Sequence, residues 1–220
     1  MPRASVPWRL VVVAVTAIAV FVLVTIAVTG RSSLAFDSRA FEIAEDVRAP
    51  WLDAAARVVT TLGLIAIVAP GLLVGATVVI KHHDRARAAA VVVGAALVWI
   101  SVWIIKSVVD RPRPPHPLVR TSGQSYPSGH AANSVGWLAL AIALTVVIPT
   151  RAGRIAAITA GAVLAVLVGL SRIYLRAHYA SDVVAGEALA VAIYALATIG
   201  AIAWQSRGES IGDADSRLLP

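Results

Sequence analysis

The chain contains no cysteine, and charged residues make up only 14% of its 220 positions. The absence of cysteine excludes disulfide bonds and thiolate-bound metal ions. The low charge and the mean hydropathy of +0.82 exclude an ordinary soluble domain, in which about 25% of residues are charged. A net charge of +7 alone would fit nucleic acid as a partner. In so apolar a chain, basic residues instead set topology and contact anionic lipid, so we expect no nucleic acid.

What the chain has in abundance is long apolar runs. Six of them approach the roughly 20 residues that cross a bilayer as an α-helix. They cover residues 10–29, 58–80, 88–106, 131–148, 155–170 and 183–204. Apolar and polar residues do not alternate in these runs, which argues against membrane β-strands. We therefore predict an all-α, polytopic membrane protein in which residues 1–204 form one six-helix transmembrane domain and residues 205–220 form a polar tail.

The first 50 residues carry two further signals. Arg3 and Arg9 precede the first run, as in a signal peptide, but that run is longer than the 7–15 apolar residues typical of a cleaved signal. We expect it to be a retained first helix. After it, Asp37 is placed to cap a short amphipathic helix over residues 38–48 that Pro50 ends, and we expect this helix to lie on the membrane interface.

Basic residues also predict the orientation of the six helices. One side of the arrangement carries most of the arginine and lysine that is not diluted by acidic residues, and the positive-inside rule makes this side cytoplasmic. Its basic residues are Arg3, Arg9, Lys81, Arg85, Arg87, Arg151, Arg154, Arg207 and Arg217. The protein is thus expected in the cell membrane, with the opposite ends of the helices facing outward.

Three polar blocks interrupt the apolar runs on that opposite side. They are Lys106 with Arg113-Pro114, then Pro127-Ser128-Gly129-His130, then Ser171-Arg172 with His178 and Asp182. Each block lies at the end of an apolar run, so residues far apart in sequence are able to meet at one membrane face. Cations, histidines and a carboxylate in one place are the groups that handle a phosphoryl group.

The third block pairs His178 with Asp182 at the start of the last helix. A spacing of four residues lets the carboxylate accept a hydrogen bond from one imidazole nitrogen, which leaves the lone pair of the other nitrogen free. An isolated pair of this kind is more often an ordinary surface pair. The weight of the hypothesis therefore rests on the three blocks together.

The other two blocks offer groups that bind an anion. Ser128 and Gly129 stand where a helix begins, and the backbone amides there point at a negative charge, although a simple capping turn has the same residues. Lys106, Arg113 and Arg172 supply positive charge, although a lysine at a helix end often only extends to the interface. Prolines on both sides of Arg113 stiffen the segment that carries it.

The order and spacing of the three blocks resemble the signature motifs of the type 2 phosphatidic acid phosphatase (PAP2) superfamily. The resemblance implies that His178 is a nucleophile forming a phosphohistidine, that Asp182 orients it, and that His130 protonates the leaving group. It also implies a phosphate site that requires no metal and no cofactor. The residues of that site would be Lys106, Arg113, Ser128, Gly129 and Arg172.

Three nearby residues receive less weight. Arg111 forms a second Arg-Pro pair, but its spacing from Lys106 departs from the motif, so we expect it at the mouth of the site. Glu187 lies inside the last helix, where contact with the site and simple packing are equally open. Pro70 is expected to kink the second helix.

The sequence thus predicts an integral membrane phosphatase that acts on a lipid phosphate monoester or a polyprenyl pyrophosphate, with its site on the extracytoplasmic face. Phosphatidic acid and phosphatidylglycerol phosphate are open as substrates. A lipid phosphotransferase and a non-catalytic lipid-binding or transport protein remain the alternatives, and the oligomeric state stays open. Six apolar runs in so short a chain disfavour a vanadium haloperoxidase, which shares the motifs.

Overall fold

The regular structure is helical throughout the computed structural model, which describes residues 6–216 and their side chains as far as residue 206. Arg3 and Arg217, used above for orientation, lie outside the described residues. The helices are α1 (Trp8–Val28), α2 (Ala35–Asp46), α3 (Pro50–Thr61), α4 (Ile65–Lys81), α5 (Arg85–Val109), α6 (Gly129–Ala143), α7 (Arg151–Tyr174) and α8 (Ala180–Ser216). A 3₁₀ turn, Leu144–Val146, extends α6. Helix α8 therefore continues into the segment predicted as a polar tail.

Five of these helices are long and apolar enough to cross a membrane, namely α1, α5, α6 with its 3₁₀ turn, α7 and α8. The pair α3 and α4, which meet at a bend of 52°, passes the same criteria only when the two helices are taken together, and then counts as a sixth span. The predicted fold class, an all-α polytopic membrane bundle, is confirmed, with five or six spans in the described residues. Large apolar side chains such as Leu23, Trp103 and Val108 point away from the bundle, as lipid-facing residues do.

The bend between α3 and α4 divides the run that was predicted as one helix over residues 58–80. Its position is explained by α6, whose side chains bind the carbonyl groups that a break in a helix leaves free. Trp137 Nε1 donates to the carbonyl of Leu62 at 2.8 Å, and Asn133 Nδ2 donates to that of Gly63 at 3.3 Å. A Cβ at Gly63 would lie 2.8 Å from the carbonyl oxygen of His130, so only glycine permits this approach. Pro70, the expected kink, lies within the continuous helix α4.

Helix α2 also differs from its prediction. It begins at Ala35, so Asp37 is its third residue and not the cap that precedes it. The Asp37 side chain still serves the helix start, because Oδ2 accepts a hydrogen bond from the Leu34 amide at 2.9 Å. Asp37 is completely buried where α2 packs against α8, and the reason for that burial lies in the functional site.

Packing in the bundle brings the second and third polar blocks together. Helix α8 lies centrally and contacts α1, α5, α6 and α7. The start of α8 approaches the start of α6 very closely, since a Cβ at Gly186 would lie 2.5 Å from the Ser128 carbonyl oxygen. This contact sets the distance between the second and third polar blocks.

Candidate active site

The three polar blocks meet at one end of the bundle. Lys106 lies in the last turn of α5, Arg172 in the last turn of α7, and Asp182 in the first turn of α8. Ser128 is the N-cap of α6, and its backbone amide donates to the carbonyl oxygen of Asp182 at 2.9 Å. Residues separated by up to 76 positions, such as Lys106 and Asp182, therefore stand around one volume.

His178 lies in the short connection between α7 and α8. The amides of Ala177 and His178 both donate to the Arg172 carbonyl, at 3.0 and 3.2 Å. The backbone that carries the imidazole is thus tied to the helix end that carries the Arg172 guanidinium. The His178 side chain is 2% exposed, so its surroundings are almost entirely protein.

The contacts of the imidazole indicate its tautomer. Arg113 Nη1 lies 3.2 Å from His178 Nε2, and a guanidinium only donates hydrogen bonds. Nε2 must therefore accept, which leaves the ring proton on Nδ1. Nδ1 faces Oδ2 of Asp182 at 3.4 Å, slightly beyond the usual hydrogen-bond range of about 2.7–3.2 Å. Burial lowers the pKa of His178 to about 4, and the Asp182 charge offsets part of that effect. The ring is therefore neutral near pH 7.

The cation cradle, as we call Lys106, Arg113 and Arg172, lies at the same end of the bundle as this imidazole, and Arg113 contacts it. Lys106 Nζ donates to the Gln124 carbonyl at 2.7 Å, and Arg172 Nη1 donates to Thr60 Oγ1 at 2.8 Å. Arg113 donates to the carbonyls of Ser122, Gly123 and Ala177 at 2.7–2.9 Å. Within the described residues, no member of the cradle forms a salt bridge with a carboxylate. None of the three positive charges is therefore paired directly with a carboxylate in the described structure.

The second block lines the same region. Ser128 is completely buried, and its hydroxyl oxygen faces the Ala131 amide at 3.5 Å. Gly129 leaves open space, since a Cβ there would meet only Val102, at 3.6 Å. His130 is half-buried as the second residue of α6. Its ring has no hydrogen-bond partner among the described residues, so both of its nitrogens are available to a ligand.

The location of Arg111 differs from the one predicted from the sequence. It was expected at the mouth of the site, but its side chain is only 1% exposed. It binds two buried carboxylates, those of Asp182 and Asp37, at 2.6 and 3.0 Å. Sequence reasoning missed Asp37 and Ser181 as neighbours of the site, and Ser125 as well, whose hydroxyl donates to Asp182 Oδ2. We call Asp37, Arg111, Ser181 and Asp182 the charge network.

Other polar residues stand apart from this arrangement. Glu187 packs beside Gly169 of α7, and its buried Oε1 has no hydrogen-bond partner in the described structure. The residues described contain no group of three His, Cys, Asp or Glu side chains placed to hold a metal ion. An apolar cavity of about 600 Å³ lies at the other end of the bundle, between α1, α5, α6 and α8, and touches none of the motif residues.

Comparison with known proteins agrees with this arrangement. The family model of the PAP2 superfamily matches residues 87–205, which is more than half of the chain and includes all three polar blocks. The chain belongs to the PAP2 superfamily. Phosphatidylglycerophosphatase B of Bacillus subtilis (strain 168) is 37% identical over 97 residues, which are 42% of this chain and 47% of that protein. This PAP2 chain thus matches about half the length of that curated relative.

Two solved structures share the fold. The transmembrane PAP2 type phosphatidylglycerolphosphate phosphatase from Bacillus subtilis superposes with a TM-score of 0.76 at 24% identity, covering 84% of this chain and 93% of its own. LpxE of Aquifex aeolicus superposes with a TM-score of 0.60 at 20% identity, covering 77% and 98%. At these identities the likeness establishes the PAP2 membrane fold of this chain.

Proposed function

We propose that the protein is a membrane phosphatase that hydrolyses a lipid phosphate monoester or pyrophosphate and releases inorganic phosphate. One observation carries the proposal above all. Three cations without a directly paired carboxylate lie at the same end of the bundle as a buried, neutral imidazole whose Nε2 accepts a hydrogen bond from one of them, Arg113. A phosphate bound by Arg113 would lie beside that lone pair.

In the first step the lone pair on His178 Nε2 attacks phosphorus in line with the leaving oxygen. The N–P bond forms, the P–O bond breaks, and its electron pair leaves on the lipid oxygen, which takes a proton from His130. His178 becomes positively charged in this step. Its Nδ1–H faces Asp182 Oδ2, so the carboxylate stabilises the charge at the moment it appears.

In the second step water attacks the phosphohistidine. His130, now without its proton, accepts a proton from the water as the new P–O bond forms and the N–P bond breaks. Inorganic phosphate is released, and His178 and His130 return to their initial states. The half-buried position of His130, with no partner in the described structure, suits a group that must first give and then take a proton.

The cation cradle supplies the electrostatic part of the catalysis. Charge on the three non-bridging oxygens is stabilised best by donors that are already in place before the reaction. The backbone carbonyls that hold Lys106 and Arg113 keep those side chains in position. Ser128 and the Gly129 amide, at the start of α6, add neutral donors.

The substrate enters from the bilayer. The Bacillus subtilis relatives are named for phosphatidylglycerophosphate, which makes this lipid the first substrate to test, beside phosphatidic acid and a polyprenyl pyrophosphate. The far ends of the helices carry Lys81, Arg85, Arg87, Arg151 and Arg154. The positive-inside rule makes those ends cytoplasmic, so the proposed site faces the extracytoplasmic side.

Phosphate release by the purified protein tests the proposal. Short-chain phosphatidylglycerophosphate, phosphatidic acid and farnesyl pyrophosphate are each assayed in detergent, with and without a chelator. We expect release from at least one substrate, unchanged by the chelator and abolished by His178→Ala. His82→Ala, an exposed residue at the other end of the bundle, is the matched control and is expected to behave as wild type.

Each contrary result has a definite meaning. No release from any substrate, or equal release by His178→Ala, refutes the proposed phosphatase. Transfer of the phosphoryl group to an added alcohol, with no release of inorganic phosphate, identifies the protein as a phosphotransferase. Release that the chelator abolishes refutes the metal-free mechanism.

A further inference from the structure

Arg111 connects two carboxylates that come from distant parts of the chain. Its Nη1 donates to Asp182 Oδ1 at 2.6 Å and its Nη2 donates to Asp37 Oδ2 at 3.0 Å. The guanidinium also lies 4.2 Å above the centroid of the Tyr179 ring. A planar fork with donors on both branches suits this geometry, and a lysine ammonium does not reproduce it.

Ser181 closes the network between the same partners. Its hydroxyl accepts from Arg111 Nη1 at 2.7 Å and donates to Asp37 Oδ2 at 2.9 Å. Its backbone amide donates to Asp37 Oδ1 at 2.8 Å. Asp37 thus binds an amide at the start of α8, where a negative charge is favoured by the helix dipole. Helix α2 is attached to α8 next to the proposed nucleophile.

The burial of these groups makes their arrangement rigid. Asp37, Ser181 and Asp182 are completely buried, and the Arg111 side chain is 1% exposed. Charges without access to water must keep their partners, because the loss of one partner leaves an uncompensated charge inside the protein. The network is accordingly held in one geometry.

The two oxygens of Asp182 have different partners. Oδ2 faces His178 Nδ1 and accepts from the Tyr179 amide and the Ser125 hydroxyl. Oδ1 is bound by Arg111 and has no other hydrogen-bond partner in the described structure. Arg111 therefore determines the plane of the carboxylate, and with it the direction in which Oδ2 meets the imidazole.

We propose that Asp37 and Arg111 are positioning residues that act through Asp182 on His178, so that helix α2 is part of the frame of the active site. The inference rests on the proposed function, since it concerns the same imidazole. Asp37 holds Arg111 from one side, Arg111 holds Asp182 from the other, and Asp182 receives the proton-bearing nitrogen of His178. Neither Asp37 nor Arg111 needs to touch the substrate.

The first test is Asp37→Asn, which keeps the shape of the side chain and removes its charge. A nucleophile displaced by a fraction of an ångström loses rate without losing affinity, so we expect kcat to fall ~10- to 100-fold and KM to stay within about twofold of wild type. Glu42→Gln is the matched control. It lies on the same helix in an exposed pair with Arg39, side chains 61% and 68% exposed, and should leave kcat unchanged.

A double-mutant cycle separates positioning from a general loss of structure. If Asp37 acts through Asp182, then Asp37→Asn should have almost no further effect on the residual kcat of Asp182→Asn. If Asp37 had only a structural role, the losses of kcat in the two single variants would instead multiply in the double variant. Ser181→Ala removes only the bridging hydroxyl and is expected to lower kcat severalfold, which provides the same test if Asp37→Asn fails to fold.

The outcomes separate this inference from the proposed function. If the wild-type protein releases no phosphate from short-chain phosphatidylglycerophosphate, phosphatidic acid or farnesyl pyrophosphate, the proposed function fails. If it does, but Asp37→Asn or Ser181→Ala folds and retains wild-type kcat, the positioning role is refuted and the phosphatase stands. Independent, multiplicative losses in the cycle also refute it.

Discussion

The cation cradle and the charge network both contain an arginine, but the two arginines are held by different kinds of partner. In the network Arg111 is buried between two carboxylates and is neutralised by them. In the cradle Arg113, only two positions further along, is partly exposed and is held by backbone carbonyls. Cations held by neutral groups keep their charge available to a ligand, whereas cations held by carboxylates do not. The difference supports the proposals that the cradle binds the phosphate and that the network positions Asp182.

Removal of a cradle cation should have the largest effect on catalysis. For Arg113→Gln we expect kcat/KM to fall at least ~100-fold, because a donor fixed beside the transferring group is lost. Stability should change by no more than about 1 kcal/mol, since no carboxylate is left unpaired. Arg120→Gln, in the exposed part of the same loop, is the control for the assay of phosphate release. Equal rates for Arg113→Gln and wild type would show that Arg113 does not stabilise the transferring group.

Removal of the network cation should lower stability far more than removal of a cradle cation. Arg111→Gln leaves two buried carboxylates without their shared cation, so we expect it to lower the free energy of unfolding by about 3–5 kcal/mol. Unfolding in detergent, followed by circular dichroism, measures the difference between Arg111→Gln and Arg113→Gln. If both variants unfold at the same denaturant concentration, the proposed difference between the network and the cradle is contradicted.

A smaller effect is expected where α8 meets α6. In Gly186→Ala the new Cβ would meet the Ser128 carbonyl oxygen at 2.5 Å, and a backbone atom is unable to yield cheaply. We expect α8 to shift and kcat to fall severalfold, because Asp182 and Ser128 separate. Gly200→Ala on the same helix has no atom within 4 Å of the new Cβ and should be at least as stable and active as wild type. Identical activities of the two variants would show that this close contact does not set the site geometry.

The pH dependence gives the finest distinction. Because burial lowers the pKa of His178 to about 4, kcat/KM of the free enzyme should rise with pH through about 4 and not through the ordinary value near 6.5. Between these two values the unfolded chain binds a proton that the folded protein does not, so stability also rises with pH across that window. Arg113 and Arg172 lower this pKa while Asp182 raises it. Arg113→Gln should therefore move the acid limb to higher pH, and a limb that stays in place contradicts the arrangement of charges.

The sequence predicted the parts of the molecule that depend on local pattern. The six apolar runs follow from hydropathy, and the order of Lys106, His130 and His178 at the ends of runs places them at one face of the bundle. The bend between α3 and α4 escaped prediction because its cause lies in α6, where Asn133 and Trp137 bind the free carbonyls. No pattern within residues 58–80 contains that information.

The network escaped prediction for a related reason. Asp37 and Arg111 are 74 residues apart, and each has an ordinary local role, at a helix start and in a proline-rich loop. An acidic residue close to the first turn of a short helix usually serves that helix alone. Only the folded chain shows that the same carboxylate also binds the start of α8 and the Arg111 guanidinium. Repetition of the Arg-Pro pair at Arg111 was the one signal in the sequence that could have drawn attention to it.

The phosphorylated intermediate is the most direct test of the central claim, that the cradle presents a phosphoryl group to His178. Wild-type protein is mixed with a lipid phosphate labelled at phosphorus, denatured within milliseconds under alkaline conditions and digested, and the labelled peptide is sequenced by mass spectrometry. We expect an acid-labile label on the peptide that contains His178, absent from His178→Ala and formed more slowly by Asp37→Asn. Rapid turnover with no label on His178, or with a label on another residue, would contradict it.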